Sequence, residues 1–226
     1  MANRGSIAIG EWYHCYSRGV DKRVVFETPV DYDRFLVHMY VGNGTKNIRV
    51  SDFSDTRVIS ILADETLDRD EPLIEIGAYS LMPTHAHFII REIREGGIAA
   101  FMQKIFTGYT MYFNNKYQRT GALFSGTFKS KHIDSDTYLK QVVPYVLINA
   151  AELFEPSWKE GIGSIDNLER LLQEYPYSSL SDFMGTKRLE NKIINASIHQ
   201  YYDHIPSLRE MLRIAQEYYL DHPPQV

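Results

Sequence analysis

The stretch that decides the fold is LIEIGAYSLMPTHAHFIIREI, residues 73–93. It contains two apolar runs, Leu73 to Met82 and Ala86 to Ile93, which are separated by Pro83 and Thr84. Short apolar runs bounded by turn residues are typical of β-strands, and a proline between them marks the turn. The sequence therefore predicts an antiparallel hairpin over these residues.

Segments on both sides of the hairpin predict further strands and helices. An aromatic-rich strand, Glu11 to Val20, precedes a short helix, Asp31 to Val41. After the hairpin, the pattern predicts a helix, a strand and a second helix, at Ile98 to Tyr117, Leu123 to Ile133 and about Thr137 to Leu153. This order is close to a ferredoxin-like split βαβ sandwich with an added helix, so we expect an α+β fold with an antiparallel sheet.

The sequence divides into a main domain and a helical tail. All of the predicted strands lie in residues 1–160, which are interrupted at about 43–72 by a segment without a clean period. This segment includes the acidic run DETLDRDE, residues 64–71, and is interpreted as a solvated acidic insertion. Residues 161–226 carry apolar residues at helical spacing and are expected to pack on the main domain as an extension.

The composition is that of a globular protein. Of 226 residues, 44% are hydrophobic and 23% charged, which excludes a disordered or low-complexity chain. No apolar run approaches the about 18 to 20 residues that span a bilayer, and residues 1–20 lack a signal peptide's apolar stretch. The single cysteine, Cys15, excludes an internal disulfide and a thiolate zinc site. We therefore expect a cytoplasmic protein with a packed thiol and no membrane partner.

The distribution of charge is uneven. Lys and Arg total 24 against 29 Asp and Glu, which gives a net charge of -5 and argues weakly against a nucleic-acid partner. The 29 residues from Lys104 to His132, however, contain no acid and five bases: Lys104, Lys116, Arg119, Lys129 and Lys131. Seven aromatic residues are interleaved with them, a mixture typical of single-strand nucleic-acid surfaces. The alternative is an amphipathic helix and a strand that bury these rings in the core.

Two histidines follow the turn of the hairpin. His85 and His87 are two residues apart, so in a strand both imidazoles lie on the same face and could bind one metal ion. Two exposed or hydrogen-bonded histidines are the simpler interpretation of this spacing. Two ligands do not complete a site, so a third must come from elsewhere in the chain.

The predicted helix Thr137 to Leu153 offers that ligand. Tyr145 and Asn149 are four residues apart, one helical turn, within a polar stripe that we expect to point away from the core. Pro144 suits the first turn of a helix that restarts there. The alternative is a half-exposed tyrosine and a surface asparagine.

These residues resemble a known family. The segment MPTHAHFII is similar to the histidine-hydrophobic-histidine (HUH) motif of single-tyrosine transposases, and YVLINAAE to the Tyr-x-x-x-Asn helix of their REP-associated subfamily. Similarity continues in YHCYSRGVDKRVVF, FNNKYQRTGALFSGTFKS and YPYSSLSDFMG, so the resemblance covers roughly residues 12–185 apart from the acidic insertion. The chain departs from the family in its acidic net charge, in Thr84 where Asn is frequent, and in Ala150 where Pro is frequent.

The resemblance implies a single-tyrosine HUH transposase domain over residues 1–160. It implies that His85, His87 and Asn149 bind a divalent metal, Mg²⁺ or Mn²⁺, and that Tyr145 is the nucleophile. The implied reaction is cleavage and transfer of single-stranded or hairpin-containing DNA through a 5′-phosphotyrosine, in a cytoplasmic, nucleoid-associated protein. The basic residues from Lys104 to Lys131 are then the expected DNA contacts.

Other interpretations stay open at this stage. The same scaffold could bind a DNA or RNA hairpin without catalysis, and a small-molecule metal hydrolase is a third alternative, which leaves the basic aromatic stretch unexplained. A homodimer is also compatible with the sequence, because Tyr145 could serve its own histidine pair or that of a partner protomer.

Overall fold

A four-stranded antiparallel sheet forms the centre of the molecule, for which the computed structural model describes residues 7–53 and 55–221. The strands are β1 (Trp12–Arg18), β2 (Ile74–Met82), β3 (His85–Glu92) and β4 (Lys129–Ile133), and their order in the sheet is β2-β3-β1-β4. Every neighbouring pair is antiparallel. This is the strand order of the ferredoxin-like split βαβ arrangement, so the expected α+β class is confirmed.

The described residues contain seven α-helices. They are α1 (Pro29–Gly42), α2 (Gly97–Lys116), α3 (Asp136–Leu147), α4 (Ala151–Phe154), α5 (Ile165–Glu174), α6 (Leu180–Phe183) and α7 (Leu208–Asp221). Helix α1 connects β1 to β2, and α2 connects β3 to β4. Thr28 and Asp31 form a capping box at the start of α1, and the Ser135 hydroxyl caps α3 by accepting a hydrogen bond from the Tyr138 amide.

The two faces of the sheet carry different helices. On the first face, α1 and α2 pack against β-strand side chains such as Tyr13, Cys15 and Phe88. On the second face, α3, α5 and α7 pack against Trp12 and Ile89, among others. Cys15 is fully buried, as expected for a packed thiol. Because side chains alternate along a strand, both histidines of β3 lie on the second face with Ile89, whereas Phe88 lies on the first.

The hairpin matches its prediction, whereas the fourth strand is shorter than predicted. Residues 83 and 84 form the turn between β2 and β3, and Met82 pairs with His85. Regular β4 begins only at Lys129, although the sequence predicts a strand from Leu123. Gly126 has a φ of 65°, in the left-handed region, which is incompatible with a regular strand. An isolated bridge between Phe124 and Gly19 is the remaining sheet contact of this segment.

The helix that carries Tyr145 also differs from its prediction. It is continuous through Pro144 rather than restarting there, and it ends at Leu147 rather than at Leu153. Asn149 therefore lies in the turn between α3 and α4, not in a helix. Most of the polar stripe does not point away from the core: Tyr145 contacts His87 of the sheet and Tyr218 of α7, and Asn149 is only 4% exposed, whereas Glu152 is exposed. The expectation of an outward-facing stripe is wrong because α7, from the distant tail, covers this side of α3.

The segment at 43–72 is only partly solvated. Two 3-10 helices, Val50–Asp52 and Asp55–Ala63, lie within it. Val50, Ile61 and Leu62 are buried in the core beneath α1, which the lack of a clean period did not predict. The acidic run at 64–71 is largely exposed, as expected.

The C-terminal tail, residues 161–221, contributes to the core on the second face of the sheet. Leu168 and Leu172 of α5 and Met211 and Leu212 of α7 are buried there with α3. The division of the chain at residue 160 stays a prediction. In the described part of the chain, no helix has both the length and the apolar character needed to span a membrane.

Candidate active site

The four residues singled out by spacing come together on the second face of the sheet. His85 and His87 begin β3, and their rings are 5.1 Å apart between centroids. The Tyr145 ring, from α3, lies edge-on to the His87 ring with a centroid distance of 6.1 Å. Asn149 follows one turn later, and its amide raises the pKa of His85 and lowers that of Tyr145, which places it beside both side chains. Strand β3, helix α3 and the turn after it thus bring together two imidazoles, a phenol and an amide.

The Asn149 amide has an unused acceptor. The residue is 4% exposed, and its Oδ1 atom has no hydrogen-bond partner within the described ranges. A buried acceptor without a partner costs free energy, so native proteins rarely retain one without a role. This atom is therefore suited to a ligand that arrives from outside the chain.

Both histidines are uncharged at neutral pH. Burial, with a smaller contribution from the nearby Arg18 guanidinium, lowers the pKa of His85 to about 4. Burial also lowers the pKa of His87 well below its usual value, with further contributions from His14 and His85. Metal ligation requires neutral imidazole, so this state is the competent one.

Each histidine also has a partner at Nδ1. The Thr84 hydroxyl oxygen lies 2.9 Å from His85 Nδ1, and His14 Nε2 lies 2.8 Å from His87 Nδ1. His14, on β1, is 6% exposed, and burial lowers its pKa to about 3. Sequence reasoning missed His14. The signal available in the sequence was its place in β1. Trp12, His14 and Tyr16 are two residues apart in this strand, so their side chains lie on one face.

A cluster of tyrosines covers the remaining side of the site. The Tyr145 and Tyr218 rings are 4.9 Å apart between centroids, and the Tyr138 and Tyr218 hydroxyl oxygens are 3.2 Å apart. Burial raises the pKa of Tyr145 to about 12, with contributions from Tyr218 and Glu152. The phenol is therefore protonated at neutral pH, and a nucleophilic role requires that its proton leave during the reaction.

Two cations lie beside the histidines. Arg18 pairs with His85 across the strands and is exposed, and Lys159 forms an ion pair with Glu152 at 3.0 Å. Both lower the pKa of His85 and His87 electrostatically, which places their charge within range of the site. Glu152 offsets the charge of Lys159 and raises the pKa of His85, so the exposed Arg18 is the cation that an anionic group at the site could meet.

The five basic residues of the acid-free stretch separate into two sets. Lys129 and Lys131 lie on β4 opposite Tyr16 and His14, on the face that carries Tyr145. Their ammonium groups lie 5.9 Å and 4.7 Å from the centroids of the Tyr16 and Tyr138 rings, respectively.

The other set lies on and just after α2, beyond the first face. Lys104 donates to the Gly44 carbonyl, Lys116 pairs with the buried Asp31 carboxylate at 2.7 Å, and Arg119 donates to Asn114. Most of the nearby rings, such as Tyr109, are buried in the core, as in the alternative interpretation of this stretch. Whether all five bases contact DNA is untested, and their placement favours Lys129 and Lys131, which share the face of Tyr145.

The donor set bears on a divalent metal. Within the described ranges, no group of three or more His, Cys, Asp or Glu side chains is arranged to hold a metal ion. The candidate set is instead His85, His87 and the Asn149 amide, which contains only two side chains of those four residue types and completes the set with an asparagine. Two neutral imidazoles and an orphaned amide oxygen fit a divalent cation that takes mixed nitrogen and oxygen ligands.

No family model and no curated protein sequence matches the chain. Among solved structures, the chain is similar to a REP-associated tyrosine transposase bound to a REP hairpin. The similarity has a TM-score of 0.48 and 13% sequence identity, and it covers 92% of this chain and 99% of that one. Function is therefore inferred from the side chains of this protein itself.

Proposed function

We propose that this chain is a metal-dependent endonuclease and strand transferase for single-stranded or hairpin-containing DNA, of the REP-associated tyrosine transposase type that its motifs resemble. The observation that carries the proposal is the convergence of His85, His87, Asn149 and Tyr145, with the Tyr145 and His87 rings 6.1 Å apart. Burying polar groups around an unused acceptor costs free energy, and a catalytic role explains why the cost is retained.

His85, His87 and Asn149 would hold the metal. A divalent ion there would supply Lewis-acid polarisation of the scissile phosphate. The three donor side chains carry no charge in the folded protein, so the positive charge at the site would come from the metal and from Arg18. A phosphodiester is the anion that this environment would attract.

Tyr145 would act as the nucleophile. Its phenolic oxygen would form a bond to phosphorus while the bond from phosphorus to the 3′ oxygen of the preceding nucleotide breaks. The phenol loses its proton, and the departing 3′ oxygen gains one, so the products are a 5′-phosphotyrosine and a free 3′-hydroxyl. The covalent link conserves the phosphodiester, and attack by a second 3′-hydroxyl reverses the step and rejoins DNA.

The aromatic and basic residues of β1 and β4 would bind the strand leading to this phosphate. Tyr16 is half-buried beside His87, with a centroid distance of 5.6 Å, and Lys129 lies over it. Stacking of a base on an exposed aromatic face combined with a neighbouring lysine is a general mode of single-strand binding. This arrangement favours a nucleic acid over a small anionic substrate.

The direct test is covalent capture. The protein is incubated with Mn²⁺ and hairpin-containing single-stranded DNA that carries its label at the 3′ end, on the fragment that the tyrosine would retain, and the products are analysed on a denaturing gel. We expect a protein–DNA adduct with the wild type and with Tyr138→Phe, and none with Tyr145→Phe. Tyr138 is the matched control because its hydroxyl belongs to the same tyrosine cluster. An adduct formed by Tyr145→Phe would overturn the assignment.

The second candidate is a hairpin-binding protein without catalysis. The observation that favours it is the burial of Tyr145 against Tyr218, which raises the pKa of the phenol. Tight DNA binding by the wild type, with no adduct at any divalent-metal concentration, would establish this alternative.

A further inference from the structure

We propose that His14 and Thr84 are positioning residues that fix the histidine pair with both Nε2 atoms directed to the metal. The inference rests on the proposed function for the identity of the site. It concerns two residues that neither the spacing of the motif nor the implied ligand set includes.

The geometry is the same at both histidines. His87 Nδ1 lies 2.8 Å from His14 Nε2, and His85 Nδ1 lies 2.9 Å from the Thr84 hydroxyl oxygen. One nitrogen of each ring is thereby engaged inside the protein. The opposite nitrogen, Nε2, is left to face a ligand, and it can do so only if Nδ1 carries the proton and donates it.

The packing of His14 supports a fixed partner. It is 6% exposed, its ring stacks on His87 at 5.1 Å between centroids, and its edge contact with Tyr145 is 6.2 Å. His14 and His87 are held on adjacent central strands, so their separation is set by the register of β1 and β3. His14 thus contacts both a proposed ligand and the proposed nucleophile.

Thr84 has an equivalent place at the other histidine. It is the second residue of the hairpin turn and directly precedes His85, so its hydroxyl is positioned by the turn itself. The family that the sequence resembles frequently has Asn at this position. In this protein the Thr84 hydroxyl is the hydrogen-bond partner of His85 Nδ1.

Partners of this kind set the tautomer and orientation of metal-binding histidines, and their loss typically weakens metal affinity about 10- to 100-fold. We therefore expect His14→Phe to bind Mn²⁺ about 10- to 100-fold more weakly than the wild type. His14→Gln, whose amide oxygen can accept the Nδ1 proton, should recover much of the affinity. Thr84→Val should weaken binding and Thr84→Ser should retain it.

The experiment has two arms. Titration calorimetry with Mn²⁺ measures affinity for the wild type and the four variants. Long-range ¹H–¹⁵N spectra of the metal-free wild type report which nitrogen of each imidazole carries the proton, independently of any activity. We expect His85 and His87 to carry it at Nδ1, and His87 to lose this preference in His14→Phe.

The outcomes separate the two proposals. Protonation of His87 at Nε2 in the wild type, or Mn²⁺ binding by His14→Phe and Thr84→Val as tight as the wild type's, would overturn the inference. Absence of Mn²⁺ binding by the wild type would overturn the metal-dependent function, while the tautomer spectra would still decide whether His14 and Thr84 fix the rings. If His14→Phe fails to fold, the Thr84 pair and the wild-type spectra carry the test.

Discussion

Replacing Lys129 and Lys131 by glutamine removes two cations that lie on the same face of the sheet as Tyr145. Both side chains are exposed and contact aromatic rings, at 5.9 Å from Tyr16 and 4.7 Å from Tyr138. Loss of an exposed cation–π contact costs about 0.5–1 kcal/mol. The fold should therefore survive the double substitution.

The effect on binding follows from counterion release. Each phosphate contact contributes about 0.7 to the slope of log Kobs against log salt for a single strand, so two contacts contribute about 1.4. Raising the salt from about 50 to about 200 mM should then weaken DNA binding by the wild type about seven-fold more than binding by the variant.

The assay is fluorescence anisotropy of a labelled hairpin-containing single strand, with EDTA present so that no cleavage occurs. The control variant combines Lys104→Gln with Arg119→Gln, which removes the same charge from the opposite side of the sheet. Lys129 and Lys131 share the face of Tyr145 whereas α2 packs on the other face, so we expect the control slope to match the wild type. Equal slopes for all three proteins, or an equal decrease of the slope in both variants, would refute the claim that Lys129 and Lys131 contact the DNA while Lys104 and Arg119 do not.

Three further predictions concern stability and metal dependence. Lys116→Met leaves the buried Asp31 carboxylate without its cation and should lower the free energy of unfolding by about 2 kcal/mol in urea titrations. Lys116→Arg should keep the wild-type stability. Equal stability of Lys116→Met and the wild type would contradict this role. Burial lowers the pKa of His38 to about 3, whereas the unfolded chain has about 6.5, so only the unfolded chain takes up a proton between these values. Stability should therefore fall as the pH drops below about 6.5, with about 2 kcal/mol lost at about pH 5 from this residue, and His38→Gln should flatten the pH dependence of chemical unfolding; an unchanged pH dependence would count against it. Finally, EDTA should abolish adduct formation by the wild type and added Mn²⁺ should restore it, so an adduct that persists in EDTA would exclude metal dependence.

The sequence predicts the hairpin and the topology because these depend on local patterns. Two apolar runs around Pro83 fix a turn, and alternation in β3 places His85 and His87 on one face whatever surrounds them. The pairing of Tyr145 with Asn149 also follows from local spacing, although Asn149 lies in a turn and not in the helix.

The rest of the site depends on contacts between distant segments. His14 reaches His87 only through the register of β1 and β3, which a single histidine in an aromatic strand does not reveal. Helix α7 covers Tyr145 from more than sixty positions away in the chain, so the outward direction assigned to the polar stripe was wrong. A linear count of charge from Lys104 to Lys131 likewise cannot show which bases lie on which side of the sheet.

The most direct test of the central claim is mass spectrometry of the covalent adduct. Trypsin cleavage after Lys140 and Lys159 releases residues 141–159, QVVPYVLINAAELFEPSWK, in which Tyr145 is the only tyrosine. After nuclease digestion of the attached DNA, the account predicts that this peptide carries the added nucleotide phosphate on Tyr145. A nucleotide on any other peptide, or a wild-type protein that binds hairpin DNA with Mn²⁺ and never becomes attached to it, would contradict the claim.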